Sequence, residues 1–228
     1  MIYIVPSRGR PHAVTELIAA WEETRTVATL HVAVDDNDPT RHEYRAILRS
    51  APAWVRWTLV AGGGDGMTAA LNYCARLDAE HEDIIGFMGD DHRPRTLAWD
   101  SMIAQSWVGG GRVVYGNDLI HGPNLPTAVA LDARIIQRLG FMAPPAQKHL
   151  FLDNFWKTLG ERLGALRYLP QCVIEHMHPI AGKAEWDEGY IRVNAGGLYE
   201  TDRAAYAHYI QTGRLAADIE RIGDLSGV

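Results

Sequence analysis

Two cysteines, Cys74 and Cys172, in a chain of 228 residues are too few for a disulfide framework or a cysteine-built zinc site, and they suit a reducing compartment. No apolar run approaches the roughly 18–20 residues that cross a bilayer. Met1-Ile2-Tyr3-Ile4-Val5 passes straight into Pro6-Ser7-Arg8 without a basic leader, so a soluble, cytoplasmic protein is expected. Positive charge is also in deficit. With 22 Lys+Arg against 28 Asp+Glu the formal charge is −6, which disfavours a bulk electrostatic grip on nucleic acid or anionic membrane but leaves room for a local basic groove. The usual nucleotide fingerprints are missing. No G-x-G-x-x-G follows the first apolar run, and Met67 stands where Gly62-Gly63-Gly64 would need a last glycine. Gly182-Lys183 is followed by Ala184 and makes no P-loop. A dinucleotide dehydrogenase and a P-loop phosphotransferase are thereby disfavoured. There is no internal repeat, low-complexity tract or dividing linker, and one domain is the default at this length.

What is present in the first half is a regular alternation. Apolar runs at Ile2–Val5, Leu30–Val34, Val55–Val60 and Ile84–Met88 read as strands. Between them, Pro11–Trp21, Thr40–Arg49 and Gly66–Ala79 read as helices, with Met67, Leu71, Cys74 and Leu77 three or four apart. Strand, polar turn and helix in succession signify βα units on a mostly parallel sheet flanked by helices. The second half is less regular. Val113–Tyr115, Thr127–Ala130, Arg167–Leu169 and Cys172–Glu175 read as short strands, and His149–Arg162 as a helix. Asp132 caps a helix ending at Leu139, where Gly140 stops it. Gly182–Gly197 lacks periodicity and reads as a loop able to move, before closing helices at Asp202–Thr212 and Leu215–Ile222.

In open parallel sheets, ligands bind beyond the carboxyl ends of the strands. That rule gathers three polar clusters on one rim: Pro6-Ser7-Arg8-Gly9-Arg10, Asp35-Asp36 and Asp90-Asp91-His92. Each alone suits a turn or a helix cap; three on one edge are hard to explain that way. Adjacent acids repel unless a cation lies between them, and oxygen ligands suit Mg²⁺ or Mn²⁺, a nearby imidazole favouring Mn²⁺. The alternative for Asp90 or Asp91 is to cap a helix starting near Pro94. His176-Met177-His178 is a second metal candidate. Both imidazoles face one way if the chain is extended there, and only one reaches a metal if it is not. Asp153, inside the apolar stretch Phe151-Leu152-Asp153-Asn154-Phe155-Trp156, is either a cap or a carboxylate whose hydrophobic wall raises its basicity.

Taken together, Val5-Pro6-Ser7-Arg8-Gly9-Arg10, Val34-Asp35-Asp36-Asn37, Gly66-Met67-Thr68-Ala69-Ala70-Leu71-Asn72 and Gly89-Asp90-Asp91 resemble the nucleotide-sugar glycosyltransferases of the GT-A fold, specifically the family-2-like group. The resemblance covers about residues 2–180. Gly-Asp-Asp-His with the late Glu-His-Met-His-Pro is similar to small soluble members from phages or prophages of actinobacteria. It implies a GT-A core over 1–180, with a nucleotide-binding half to about 92 and an acceptor-binding half from 93. A mobile loop and helices over 181–228 would pack on the same domain. It further implies that Pro6, Ser7, Arg8 and Asp35 or Asp36 hold base and ribose, and that Gly66 and Met67 approach the nucleotide while Asn72 braces that loop. Asp90 would lie near the ribose, and Asp91 would bind a divalent metal, Mn²⁺ or Mg²⁺, with His178 or, second, His176. Lys183 would close over the diphosphate, and Asp153 would deprotonate the acceptor in an inverting transfer from a nucleotide-diphosphate donor, a UDP-sugar foremost. Two departures stand out. The acids form Asp-Asp-His rather than Asp-x-Asp, so His92 could replace an acid as ligand, and Leu152 stands where a Glu usually precedes the base.

Competing classes are a nucleotidyltransferase on a similar sheet, a non-catalytic nucleotide-sugar binder and, more distantly, a metallohydrolase built on His176 and His178. The first generally carries a Gly-rich, Lys-containing turn after the first strand, whereas Pro6–Arg10 has one glycine and no lysine. The acceptor is open among saccharides, lipids, proteins and, for a phage enzyme, modified DNA bases. Of the seven tryptophans, Trp156 and Trp186 lie nearest the expected acceptor side.

Overall fold

The strand residues divide their side chains between two cores, because successive residues of a strand point to opposite faces. Ile2 and Ile4 of β1 (Ile2–Ser7) enter one core while Tyr3 and Val5 enter the other. The same alternation runs through β2 (Thr29–Asp35) and β4 (Ile84–Phe87). A sheet covered on both faces reads as continuous apolar runs, which is why these strands were legible without a polar alternation. The computed structural model describes residues 1–61, 66–194 and 196–225. The triple glycine at 62–64 lies outside the described residues.

Eight strands form one sheet in the order β3-β2-β1-β4-β7-β6-β8-β5, the others being β3 (Val55–Val60), β5 (His92–Pro94), β6 (Val113–Asn117), β7 (Val129–Asp132) and β8 (Leu166–His176). β3, β2, β1 and β4 run parallel, β7 is antiparallel to both β4 and β6, and β6 and β8 are parallel. The helices are α1 (Pro11–Glu23), α2 (Arg41–Arg49), α3 (Met67–Asp78), α4 (Trp99–Gln105), α5 (Ala133–Leu139), α6 (Leu152–Arg162), α7 (Glu188–Asn194), α8 (Gly196–Gln211) and α9 (Arg214–Ile222). α1, α2 and α4 cover one face, with Tyr3, Trp21 and Trp99 packed edge to face. Residues of α3, α5, α6, α8 and α9 cover the other. Among the described residues no helix is long and apolar enough to cross a membrane.

Several expectations are corrected. Neither Asp90 nor Asp91 caps a helix near Pro94: that proline lies in β5, which pairs with β8, and α4 begins only at Trp99. The two short strands read at 167–169 and 172–175 are one strand interrupted by a bulge, where the partner of Gly116 is Leu169 and that of Asn117 is Val173. The stretch 182–197 contains α7, whose first turn is held by Asp187: its carboxylate accepts the Tyr190 N–H at 2.9 Å. Glycines on either side of that helix obscured its period. The predicted cap at Asp132 is present, accepting the Arg134 N–H, and Gly140 ends α5 in the left-handed conformation.

α6 starts at Leu152 rather than His149 because the preceding backbone is claimed elsewhere. The N–H groups of Lys148, His149 and Leu150 all donate to the fully buried carboxylate of Asp202 in α8, at 2.9, 2.8 and 2.7 Å. That turn lies against α3, whose Thr68 N–H donates to the Lys148 carbonyl. Gly66 is required there: its φ is +90° and a Cβ would stand 2.5 Å from the Lys148 oxygen. Asp202→Ala is therefore expected to cost roughly 3 kcal/mol or more of stability, since three donors lose a charged acceptor. Urea denaturation checks this; a midpoint unchanged from wild type would contradict it.

Candidate active site

One cavity of about 660 Å³ opens at the carboxyl ends of β1, β2 and β4. Its polar floor is organised by Asp90. The Ser7 hydroxyl donates to the Asp90 carboxylate at 2.6 Å, and Arg10 approaches its other oxygen at 3.4 Å. Tyr44 fixes this arrangement from α2: its hydroxyl lies 2.7 Å from that of Ser7 and accepts the Arg10 N–H at 2.8 Å. Burial, followed by the neighbouring Asp91 charge, pushes Asp90 up to about 6 against the opposing pull of Arg10.

Asp91 is engaged by three elements. Its Oδ2 accepts from the Tyr190 hydroxyl at 2.8 Å and lies 3.2 Å from His176 Nε2, and its Oδ1 lies 3.1 Å from His92 Nδ1. Burial works against its ionisation, yet the His176 imidazole, by its charge and its hydrogen bond, holds it well below the ordinary carboxylate range. His92 and His176 face each other across the β5–β8 pair and stack with centroids 4.2 Å apart. Gly89 makes the tight approach feasible, for a Cβ there would meet Asp91 Oδ1 at 2.5 Å. One donor atom each from Asp91, His92 and His176 lies within 4.8 Å of the others, close enough to share a metal ion. His176 Nδ1 is buried and, among the described residues, has no hydrogen-bond partner. His178 lines the same cavity but stands outside this cluster, its Nδ1 accepting the Ile180 N–H.

Of the other sequence candidates, Pro6, Arg8, Asp35, Gly66 and Met67 line the cavity, with Arg8 bonded to Asp35 at 2.7 Å and Asn37 at 2.6 Å. Asp153 also lines it from the first turn of α6, accepting the Asn154 N–H, and burial raises its pKa. Three candidates do not line it. Asp36 turns away, its N–H bonded to Val60 and its carbonyl to Arg41. Asn72 binds the backbone of Met142 and Ala143 through both ends of its amide. Lys183 pairs with Glu175 at 2.8 Å. Trp156 is buried in the cavity wall, and Trp186 is half exposed beside His178 and Tyr190.

Sequence reasoning assigned no role to the residues that brace α7 over the cavity. Arg10 donates to Asp187 at 2.7 Å while its guanidinium lies 3.8 Å from the centre of the Tyr190 ring. Lys148 and Arg192 add positive charge to the lining, and burial pushes nearby His149 down to about 4. Arg10 was visible in the first rim cluster. Tyr190 and Lys148, in aperiodic text, carried no signal.

No family model and no curated protein matches the chain. Solved structures do match it. A mannosyltransferase from Pyrobaculum calidifontis in complex with GDP-Man and Mn²⁺ is 14% identical, with a TM-score of 0.57 over 95% of this chain and 77% of that one. Staphylococcus aureus TarS 1–349 in complex with UDP is 11% identical, with a TM-score of 0.57 over 93% and 72%. A Bacillus anthracis protein assigned as a glucose-1-phosphate thymidylyltransferase is 9% identical, with a TM-score of 0.53 over 83% and 99%. At such identities the likeness is one of architecture: the chain has the GT-A fold, as the strand-end motifs led one to expect.

Proposed function

We propose that the protein is a metal-dependent, inverting glycosyltransferase that moves a sugar from a nucleotide-diphosphate donor, a UDP-sugar foremost, to an acceptor hydroxyl. The observation that carries this reading is the Asp91-His92-His176 cluster in a cavity whose wall also presents Asp153. The mannosyltransferase of the same fold binds GDP-Man and Mn²⁺, and TarS binds UDP, which supports the donor class. A carboxylate with two imidazoles suits Mn²⁺ better than Mg²⁺. A divalent ion held there would offset the negative charge that builds on the leaving diphosphate.

The protein's own groups divide the remaining work. Arg8 and Asp35 stand at the end of β1 and β2 where base and ribose would lie, and Gly66 and Met67 bring backbone close to the same space. Lys148 and Arg192 take the diphosphate-facing role that the resemblance implied for Lys183, since they line the cavity and Lys183 is paired with Glu175. Asp153 accepts the acceptor's proton. Its raised pKa makes it a stronger base, at the cost of protonation at higher pH than an exposed carboxylate would show. The nucleotidyltransferase alternative has a structural neighbour in its favour. It predicts release of pyrophosphate from a nucleoside triphosphate, which the present reading does not.

Calorimetric titration of UDP and GDP with and without Mn²⁺ tests the proposal. Binding should require the ion and be lost in Asp91→Asn; no nucleoside diphosphate bound under any condition would end this reading. Asp153→Asn should reduce kcat by about 10²-fold or more with donor affinity retained. As Asp153 must be ionised, the wild-type rate should fall on the acid side at a pH above the usual carboxylate range. That limb should be missing from the residual activity of the variant. Asp90→Asn removes one of two adjacent buried charges. It should stabilise the metal-free protein at pH 7 by about 1–2 kcal/mol, a gain that shrinks as the pH falls below about 6, where folded wild-type Asp90 protonates, and vanishes only near the ordinary carboxylate pKa of the unfolded chain. Thermal melts at pH 7.5 and 5 measure it, and a lower melting temperature at pH 7.5 would contradict the assignment.

A further inference from the structure

His92 is 2% exposed, and both of its ring nitrogens are committed by their neighbours. On one side its Nδ1 accepts the Gly89 N–H at 3.1 Å. A backbone N–H can only donate, so this nitrogen presents a lone pair and the proton of the neutral ring lies on Nε2. On the other side Nε2 lies 3.3 Å from the Thr127 hydroxyl, which in turn donates to Asp118 Oδ2 at 3.0 Å. Asp118 is 3% exposed, Thr127 8%. A hydroxyl has one proton. While Thr127 donates to Asp118 it must accept from His92, so the chain of bonds runs in one direction, Nε2–H to Thr127 to Asp118.

Asp118 is well placed to hold that direction. Its Oδ1 accepts three backbone N–H groups, from Ile120, His121 and Gly122, at 3.0, 2.7 and 2.9 Å, which fixes the carboxylate and leaves Oδ2 for Thr127. With Nδ1 unprotonated, two lone-pair atoms, His92 Nδ1 and Asp91 Oδ1, face each other at 3.1 Å. That contact repels unless a cation lies between them, and His176 supplies the third donor atom of the cluster.

We propose that Asp118 and Thr127 are positioning residues that lock His92 in the Nε2–H tautomer, so that its single Nδ1 lone pair, held by the Gly89 N–H in the metal-free protein, can be exchanged to a divalent cation shared with Asp91 and His176. This rests on the metal-binding part of the proposed function and extends it to two residues outside the Asp91-His92-His176 cluster. With three protein atoms as ligands, the site would be able to hold an ion without nucleotide. Partners of this kind typically govern metal affinity by about 10–100-fold.

The test uses Mn²⁺ alone with the full chain, followed by electron paramagnetic resonance of the free ion. Thr127→Val should weaken Mn²⁺ binding about 10–100-fold, and Thr127→Ser, which restores the hydroxyl, should recover most of it. Asp118→Asn can keep the three backbone bonds through its carbonyl oxygen while its NH₂ donates to Thr127. That reverses the chain of bonds and should weaken binding comparably without unfolding the loop. In ¹⁵N-edited spectra of the metal-free protein, wild-type His92 should carry its proton on Nε2, and Asp118→Asn should shift it toward Nδ1. If Thr127→Val fails to fold by circular dichroism, the Asp118→Asn and Thr127→Ser pair decides. Wild-type Mn²⁺ binding that persists within twofold in Asp118→Asn, and in folded Thr127→Val, overturns the relay and leaves the metal reading intact. A wild-type protein that binds no Mn²⁺, or an Asp91→Asn variant that still does, overturns both.

Discussion

Two adjacent carboxylates, Asp90 and Asp91, are buried at the end of a central strand, and much of the surrounding structure compensates for them. Neither has enough water around it to screen the other. Asp90 is met by Ser7 and Arg10, and Asp91 by His176 and Tyr190, with His92 stacked on His176 beside it. These partners come from β1 and the turn after it, from β5, from the far end of β8 and from α7. The pair is thus where the parallel half of the sheet, the antiparallel half and the late helices meet.

The sheet explains why such a site can exist. β4 lies between the parallel strand β1 and the antiparallel strand β7, so the segment leaving its carboxyl end turns away from the regular βα pattern. It forms β5, which pairs antiparallel with the far end of β8 and so brings His92 opposite His176. Burial in two full cores, one on each face, anchors the strands whose ends carry the charged groups. Stability is held by apolar packing beneath the rim, which frees the rim for groups that repel one another.

Around this centre the cavity is completed by backbone held through side chains, some distant in sequence (Asp202, Asn72) and some local (Asp118, Asp187). Asp202 gathers the turn at 148–150, Asn72 pins 142–143, Asp118 gathers 120–122, and Asp187 starts the helix that carries Tyr190. Each is a carboxylate or amide satisfying several N–H groups. Asp202, Asp118 and Asp187 thereby place cavity-lining residues without themselves lining the cavity. Asn72 illustrates the difference between a motif residue and a ligand contact: it sits in a strand-end motif, yet its amide acts on the neighbouring loop.

The sequence by itself determined the architecture of the first half and the rim. Apolar runs of strand length, helical spacing between them and acids at strand ends are local signals, and they located Asp35, Asp90, Asp91 and the first cluster on one edge. The same local patterns located the cap at Asp132 and the stop at Gly140. Only the tertiary structure decided which polar residues share the cavity. Asp36 and Lys183 look equivalent to Asp35 and Lys148 in sequence, and backbone pairing or a nearby Glu175 draws them elsewhere. His92, His176 and Tyr190 converge through a strand pairing and a helix docking across 84 or more residues of chain, as do the pairs that hold Arg10 to Asp187. Periodicity and composition report what a residue's immediate neighbours require. Charge compensation at a buried acid pair is satisfied by whatever the fold brings within hydrogen-bonding distance, and that is a property of the assembled sheet.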